Sequence, residues 1–146
     1  DFIVGNGLAN LLRGGGAGDT LRGNGGDDTL NGETGFDTLV GGKGRDHFAF
    51  NVAPVFDFDT IADFKPADDT IDLDGDVYAG LGGAGPLAAS RFRIGAAAAD
   101  GNDRILYDPG TGALRYDPDG DGGGVAILFA QLDAGLAVTR SDFLVI

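Results

Sequence analysis

Large apolar residues recur every nine positions, from Leu12 through Leu21, Leu30 and Leu39 to Phe48, with mostly glycine and polar residues between them. The frame holds over five nonapeptides, GNGLANLLR, GGGAGDTLR, GNGGDDTLN, GETGFDTLV and GGKGRDHFA. Each opens on glycine (Gly5, Gly14, Gly23, Gly32, Gly41) and carries the large apolar residue at its eighth place. The sixth place holds an acid or its amide: Asn10, Asp19, Asp28, Asp37 and Asp46. Asp1-Phe2-Ile3-Val4 fits places six to nine of a preceding copy, so the chain is expected to begin inside the array and to be a piece of a longer protein. A fixed period this short predicts a solenoid, and a flexible Gly/Asp linker would not keep leucine in frame.

The last three residues of each copy suit a short strand with the eighth place inward and its neighbours outward. The first six are glycine-rich and predict a turn with several positive φ angles, not the interior of a strand. Two copies then complete a coil of eighteen residues. Asp1, Asp19 and Asp37 stack on one side, and Asn10, Asp28 and Asp46 on the other.

Carboxylates stacked about 4.8 Å apart repel one another unless a cation lies between them. Calcium takes six to eight oxygens, which carboxylates and exposed turn carbonyls supply together, whereas magnesium prefers a tighter octahedron that keeps its waters. The chain has no Cys, no Met and one His, so soft ligands are lacking. One large apolar side chain per nine residues is little burial against the entropy of ordering a glycine-rich coil. The roll is therefore expected to be unfolded without calcium and to fold as metal binds.

Composition sharpens this picture. The net charge is −13, and of 23 acidic residues only Glu33 is a glutamate. An aspartate bias points to turns and oxygen ligands rather than to helix surfaces. Nucleic acid and anionic membrane are unsuitable partners for such a surface. Absence of cysteine removes disulfides, and no run approaches a transmembrane helix.

Beyond Phe50 the frame loosens, yet Asp59-Thr60-Ile61 and Asp69-Thr70-Ile71 copy the Asp-Thr-Leu phrase and predict two distorted final coils. Asp59 falls beyond Asp37 and Asp69 beyond Asp46, either as metal contacts or as solvated strand edges. Asp63, Asp68, Asp72, Asp74 and Asp76 crowd the same stretch, where they can complete an end site. A short helix is expected over Pro86–Phe92, then an antiparallel meander of Arg104–Tyr107, Ala113–Tyr116 and Val125–Ala130, and a last strand over Asp142–Ile146. The run Asp117-Pro118-Asp119-Gly120-Asp121-Gly122 resembles an EF-hand loop, but Leu128 holds the twelfth place and no helices flank it, so a hairpin turn is the better reading. His47, the only histidine, reads as a surface residue, and neither Ser90 nor Ser141 has a base beside it in the sequence pattern; no catalytic constellation assembles.

These residues resemble the RTX proteins, bacterial proteins with calcium-binding repeats exported by type I secretion. More narrowly, the chain is similar to the C-terminal half of serralysin-type metalloproteases. The likeness covers the nonapeptides, Asp59–Phe64, Asp69–Leu73, Gly112–Gly120 and the acid-plus-apolar end Asp142, Phe143, Leu144, Val145 and Ile146. It implies an all-β chain: a right-handed parallel β-roll at 1–49, irregular final coils at 50–79, and an antiparallel cap with a secretion-signal tail at 80–146. It also implies calcium held by Asp19, Asp28, Asp37 and Asp46 with main-chain carbonyls of the first four places. Those are Gly14, Gly15, Gly16 and Ala17; Gly23, Asn24, Gly25 and Gly26; Gly32, Glu33, Thr34 and Gly35; Gly41, Gly42, Lys43 and Gly44. Asn10 in place of an acid, and Leu8 and Ala17 in place of the fourth glycine, imply weaker first sites. The zinc motif His-Glu-x-x-His is absent, so any protease or other enzyme would lie upstream.

The function this implies is a non-catalytic module of a secreted, extracellular protein of Gram-negative type I export. It stays open where calcium is scarce, passes the secretion machinery, then folds in extracellular calcium and braces an upstream domain. The alternative is a structural or adhesive module of a bacterial surface protein, binding glycan or another copy of itself.

Overall fold

The computed structural model describes residues 1–55 and 57–146. Six strands build the repeat region: β1 (Phe2–Val4), β2 (Leu11–Gly16), β3 (Thr20–Gly25), β4 (Thr29–Thr34), β5 (Thr38–Lys43) and β6 (His47–Phe50). Odd and even strands belong to different sheets, so each pair of nonapeptides makes one coil. β1, β3 and β5 pair in parallel with partners eighteen residues apart (Ile3↔Leu21, Leu21↔Leu39), as do β2, β4 and β6 (Leu12↔Leu30, Leu30↔Phe48). The architecture is a parallel β-roll.

β2 to β5 are longer than the sequence suggested, because places one to three of each copy continue the strand begun in the copy before. Glycine-rich sequence is a poor strand former alone, but here every coil repeats the same bend and so stays in register with its neighbours. Place two has positive φ in Gly15, Asn24, Glu33 and Gly42, and place four in Ala17, Gly26, Gly35 and Gly44. Three of these eight are not glycine, so the turn geometry is imposed by stacking against a local preference.

The eighth-place residues form two facing ladders, Ile3–Leu21–Leu39 and Leu12–Leu30–Phe48, and Leu21, Leu30, Leu39 and Phe48 are fully buried. Both ladders continue after the regular frame ends. β7 (Asp59–Ile61) pairs with β5, setting Ile61 on Leu39, and β8 (Thr70–Leu73) pairs with β6, setting Ile71 on Phe48. Insertions within these coils are absorbed in the loops between strands, leaving the ladders intact.

The C-terminal part extends both sheets. The antiparallel meander of β11 (Ile105–Asp108), β12 (Ala113–Tyr116) and β13 (Ile127–Gln131) is present, and β13 docks in parallel on β7. β10 (Phe92–Ile94) then pairs with β11, ending an eight-stranded sheet. In the other sheet β14 (Phe143–Val145) lies parallel to β8 and antiparallel to β9 (Gly85–Pro86). The expected helix over Pro86–Phe92 is instead this β9 bridge, a single 3₁₀ turn at Ala89–Arg91, and the start of β10. The third meander strand begins at Ile127, leaving Val125 exposed in the preceding loop. Phe50, Tyr78, Tyr116 and Phe129 meet edge to face where roll and cap join, and Tyr116 donates to the Ala79 carbonyl at 2.8 Å. One continuous core therefore runs from Leu12 to Val145. Among the described residues no helix is long and apolar enough to cross a membrane.

Candidate calcium sites

Each nonapeptide sets its sixth residue just before a strand, so parallel pairing carries these residues into two columns along the turns. One column runs Asp1, Asp19, Asp37, Asp59; the other runs Asn10, Asp28, Asp46, Asp69. The main-chain N–H of each donates to Oδ1 of the carboxylate one coil further on. The distances are 2.8 Å for Asn10 to Asp28, 2.7 Å for Asp19 to Asp37, and 3.0 Å for Asp28 to Asp46. They are 3.2 Å for Asp37 to Asp59 and 3.1 Å for Asp46 to Asp69. One oxygen of each carboxylate thus belongs to the fold.

The other oxygen does not. Oδ2 of Asp19, Asp28, Asp37 and Asp46 is buried and has no hydrogen-bond partner. A carboxylate oxygen taken out of water without a partner is costly, and native structures leave few such atoms. Burial above all pushes the carboxyls of Asp28, Asp37, Asp46 and Asp69 above the usual range. Asp59 is pushed up to about 8, by burial first and then by the Asp37 charge. The protein alone leaves this charge uncompensated.

Main-chain oxygens gather in the same gaps. The carbonyls of Ala17, Asn24 and Gly26 press against Gly35, Gly42 and Gly44, their equivalents one coil on. From the opposite side, Gly23 O, Gly32 O and Gly41 O stand 2.7, 2.7 and 2.6 Å from where a Cβ would lie on Gly5, Gly14 and Gly23. Asp19 Oδ2 stands 2.8 Å from the Cβ position of Gly14, and Oδ2 of Asp28, Asp37 and Asp46 lies closer still to that of Gly23, Gly32 and Gly41. First-place glycine is therefore required by space. Each gap is lined by second- and fourth-place carbonyls of one turn, the first-place carbonyl of the next, and unpartnered carboxylate oxygens.

Among the described residues no three His, Cys, Asp or Glu side chains converge on one point, so main-chain oxygens have to complete any metal shell. An all-oxygen, anionic donor set of this kind fits a hard divalent cation with flexible coordination, which is calcium.

The third-place residues Gly16, Gly25, Thr34 and Lys43 end their strands at the rim of these turns, and Thr34 Oγ1 donates to the Gly15 carbonyl at 3.2 Å. The first turn differs. Asn6 and Leu8 lack the left-handed backbone of their counterparts, and Asn10 Oδ1 accepts from the Asn6 N–H at 2.8 Å. Asn10 Nδ2 donates to Asn6 Oδ1 at 3.5 Å, and Asn24 Nδ2, from the turn one coil on, donates to the Gly5 carbonyl at 2.9 Å. The Asp1 side chain is exposed, and it is the chain's amino group that meets Asp19 Oδ1.

The acids past Phe50 divide by role. Asp57 Oδ2 accepts from the Gly35 N–H at 2.9 Å, beside Asp59. Asp69 uses both oxygens, Oδ1 for Asp46 and Oδ2 for the Lys65 N–H at 2.9 Å. Asp72 lies 2.9 Å from His47 Nδ1, so the histidine is a partnered residue of the outer sheet face, joined to an acid 25 residues away. Asp117 and Asp119 accept from N–H groups of their own loop, Gly120 at 2.9 Å and Gly124 at 3.0 Å, as a turn requires. At the chain end Asp142 is buried and accepts from the Thr139 N–H at 2.6 Å, while Phe143, Leu144 and Val145 lie in β14.

The family model of the RTX calcium-binding nonapeptide repeat matches residues 4–39 and 32–49, with four copies. No curated protein matches the chain. Among solved structures, the solution structure of the AlgE6R3 subunit of the Azotobacter vinelandii mannuronan C5-epimerase is similar at 23% identity. That likeness covers 95% of this chain and 79% of the other, with a TM-score of 0.32. The nonapeptide match falls on the coils whose turns hold the unpartnered carboxylates, and several calcium ions are the cofactor of such repeats. Residues 4–49 are similar to the RTX calcium-binding nonapeptide repeat, and these repeats build the parallel roll.

Proposed function

We propose that this module is a calcium-dependent folding switch that serves type I export and, once folded outside the cell, stabilises an upstream domain of the same polypeptide. The observation that carries the reading is the set of four buried, unpartnered Oδ2 atoms of Asp19, Asp28, Asp37 and Asp46. Calcium held in those gaps supplies the positive charge that the buried carboxylates need. The Asp19, Asp28, Asp37 and Asp46 carboxylates and the carbonyls of places one, two and four are the proposed ligands, with Asp59 closing the end of one column. Without calcium the like charges of each column oppose stacking, and the chain stays open. Cytosolic calcium is too scarce to load sites of extracellular-module affinity, roughly 10⁻⁴–10⁻³ M, and extracellular calcium is not.

The chain end supports the export step. Phe143 and Val145 are buried and β14 is hydrogen-bonded between β8 and β9, so an export machine that reads this tail has to do so before the roll folds. We propose the same division as the sequence suggested: roll at 1–49, final coils at 50–79, cap and tail at 80–146, with no catalytic role for the module itself.

The test is a fusion of the module to a passenger in a Gram-negative host with a type I exporter. Export that is lost when residues 142–146 are deleted, together with a coil-to-β transition of the purified fusion on adding calcium, is the expected result. Retention in the cell, with calcium-dependent binding of the purified module to sugars or cells, would replace it with adhesion.

A further inference from the structure

The two columns of turns end differently. At the Asp59 end, Glu33, Gly35, Asp57 and Asp59 line a small cavity in which no basic side chain stands. At the Asp69 end, the last nonapeptide turn is closed by the chain. The N–H groups of Gly41 and Gly42 donate to Oδ1 and Oδ2 of Asp63 at 2.9 and 2.8 Å. Asp69 takes the N–H groups of Asp46 and Lys65. The Lys65 ammonium donates to the carbonyl of Gly42.

That carbonyl is not an arbitrary acceptor. Gly42 holds the second place of its turn, and the second-place carbonyl is one of those that point on toward the next coil, as Asn24 O does toward Gly42. In the gap before, this oxygen belongs to the proposed metal shell. In the gap between turns 41–46 and 65–69 it is taken by a cation of the chain. The ammonium also opposes the charges of Asp46 and Asp69, lowering what burial raises there. Its backbone is fixed by the same turn, because the Lys65 carbonyl accepts from Asp68 and Asp69 at 2.9 and 2.8 Å.

We propose that Lys65 is the resident cation of this last gap: it stands in for the calcium ion that would otherwise end the column and closes the final coil without metal. The inference rests on the calcium reading of the other gaps. It makes the column self-terminating, because a monovalent group on a covalent tether needs no further turn to complete its shell.

Calcium counted by equilibrium dialysis and native mass spectrometry tests it. Wild type gives the reference number, and a wild type that binds none sinks the calcium reading itself. Lys65→Met, which keeps the stem and removes the charge, is expected to bind one ion more per chain than wild type, while Lys65→Arg keeps the wild-type number. Equal numbers for Lys65→Met and wild type overturn the proposal. Should Lys65→Met not fold, acetylation of wild type decides. The chain has only two lysines, and Lys43 is exposed. In saturating calcium Lys65 is expected to react at least tenfold more slowly than Lys43, and equal reactivity overturns the proposal.

Discussion

Replacing Asp37 by asparagine separates the two parts that a sixth-place carboxylate plays. The amide keeps an acceptor for the Asp19 N–H, which donates to Asp37 Oδ1 at 2.7 Å, and removes the charge at the unpartnered Oδ2. Asp37 has an acid on each side in its column, Asp19 and Asp59. Like charges about one strand spacing apart, ~4.8 Å, repel by about 3 kcal/mol at an effective dielectric near 20. At neutral pH Asp59, pushed up to about 8, is largely protonated, so the Asp19 pair alone gives about 3 kcal/mol in the metal-free roll, of which an unsatisfied buried amide N–H gives back about 1–3. With calcium present the sign inverts, because one anion of a buried ion cluster is lost, at roughly 3–5 kcal/mol. For a chain of this length that lowers the melting temperature by on the order of 10 °C. The assay is circular dichroism in two buffers, excess chelator with a stabilising osmolyte and saturating calcium, with wild type in parallel. Asp37→Asn is expected to raise the folded fraction in the first and lower the melting temperature in the second. A shift in the same direction in both buffers would refute the reasoning.

Three further outcomes follow from the same geometry. Gly23→Ala forces a Cβ to within 2.6 Å of Gly41 O and closer to Asp28 Oδ2, and is expected to lower calcium affinity at least tenfold by titration calorimetry; Gly7→Ala, which meets nothing within 4 Å, is expected to leave it unchanged. Ala17→Gly relieves a non-glycine residue at φ 74° and is expected to stabilise the calcium-loaded roll by about 1–2 kcal/mol, read as a higher melting temperature. In chelator, acid is expected to replace part of the metal. Asp28, Asp37, Asp46, Asp59 and Asp69 have raised folded-state values, so their contribution is fully present below about pH 4 and is lost as pH rises through those values, up to about 8 for Asp59. A chelated protein whose β-signal grows from pH 4 to 8 would contradict this.

Most of the roll was legible because its contacts are periodic. A residue and its partner eighteen positions on occupy the same place of the frame, so Leu21 on Leu39 and Asp19 beside Asp37 follow from counting. The Asp-Thr-Ile phrases at Asp59 and Asp69 carried the columns past the regular frame for the same reason. What could not be read has no local period. Parallel docking of β13 on β7 joins residues some seventy positions apart, and the likeness of Ala130 to Asp59 as partners leaves no mark in either segment. Glycine in places one to three hid the length of the strands, since strand propensity measures the fit of side chains and these strands are set by stacking. His47 looked unpartnered because Asp72 lies two coil fragments away. Asp57 and Lys65 stand in loops whose lengths break the frame, and counting stops where the frame stops.

The hidden tail and the buried acids bear on one another through the core they share. Phe143 packs on the ladder that starts at Leu12, and Val145 lies against Gly75 at the close of the same sheet. β14 pairs with β8, β8 with β6, and β6 with β4, whose turns hold Asp28 and Asp46. On the proposed reading, a coil that does not stack for want of calcium offers β14 no edge to join, and the tail is expected to stay free. Neutralising the column is then expected to order β8, the strand on which β14 pairs. Under the proposed switch calcium need not touch the chain end to govern it, because an unbroken row of parallel strands links the candidate calcium turns to β14. The topology gives the proposed coupling its expected direction, from the nonapeptides toward the C-terminus, since β14 has only β8 and the two-residue β9 to pair with. A short strand of three residues with so small a second partner is not stable alone. The accessibility of the tail should accordingly track the calcium titration of the roll with the same midpoint.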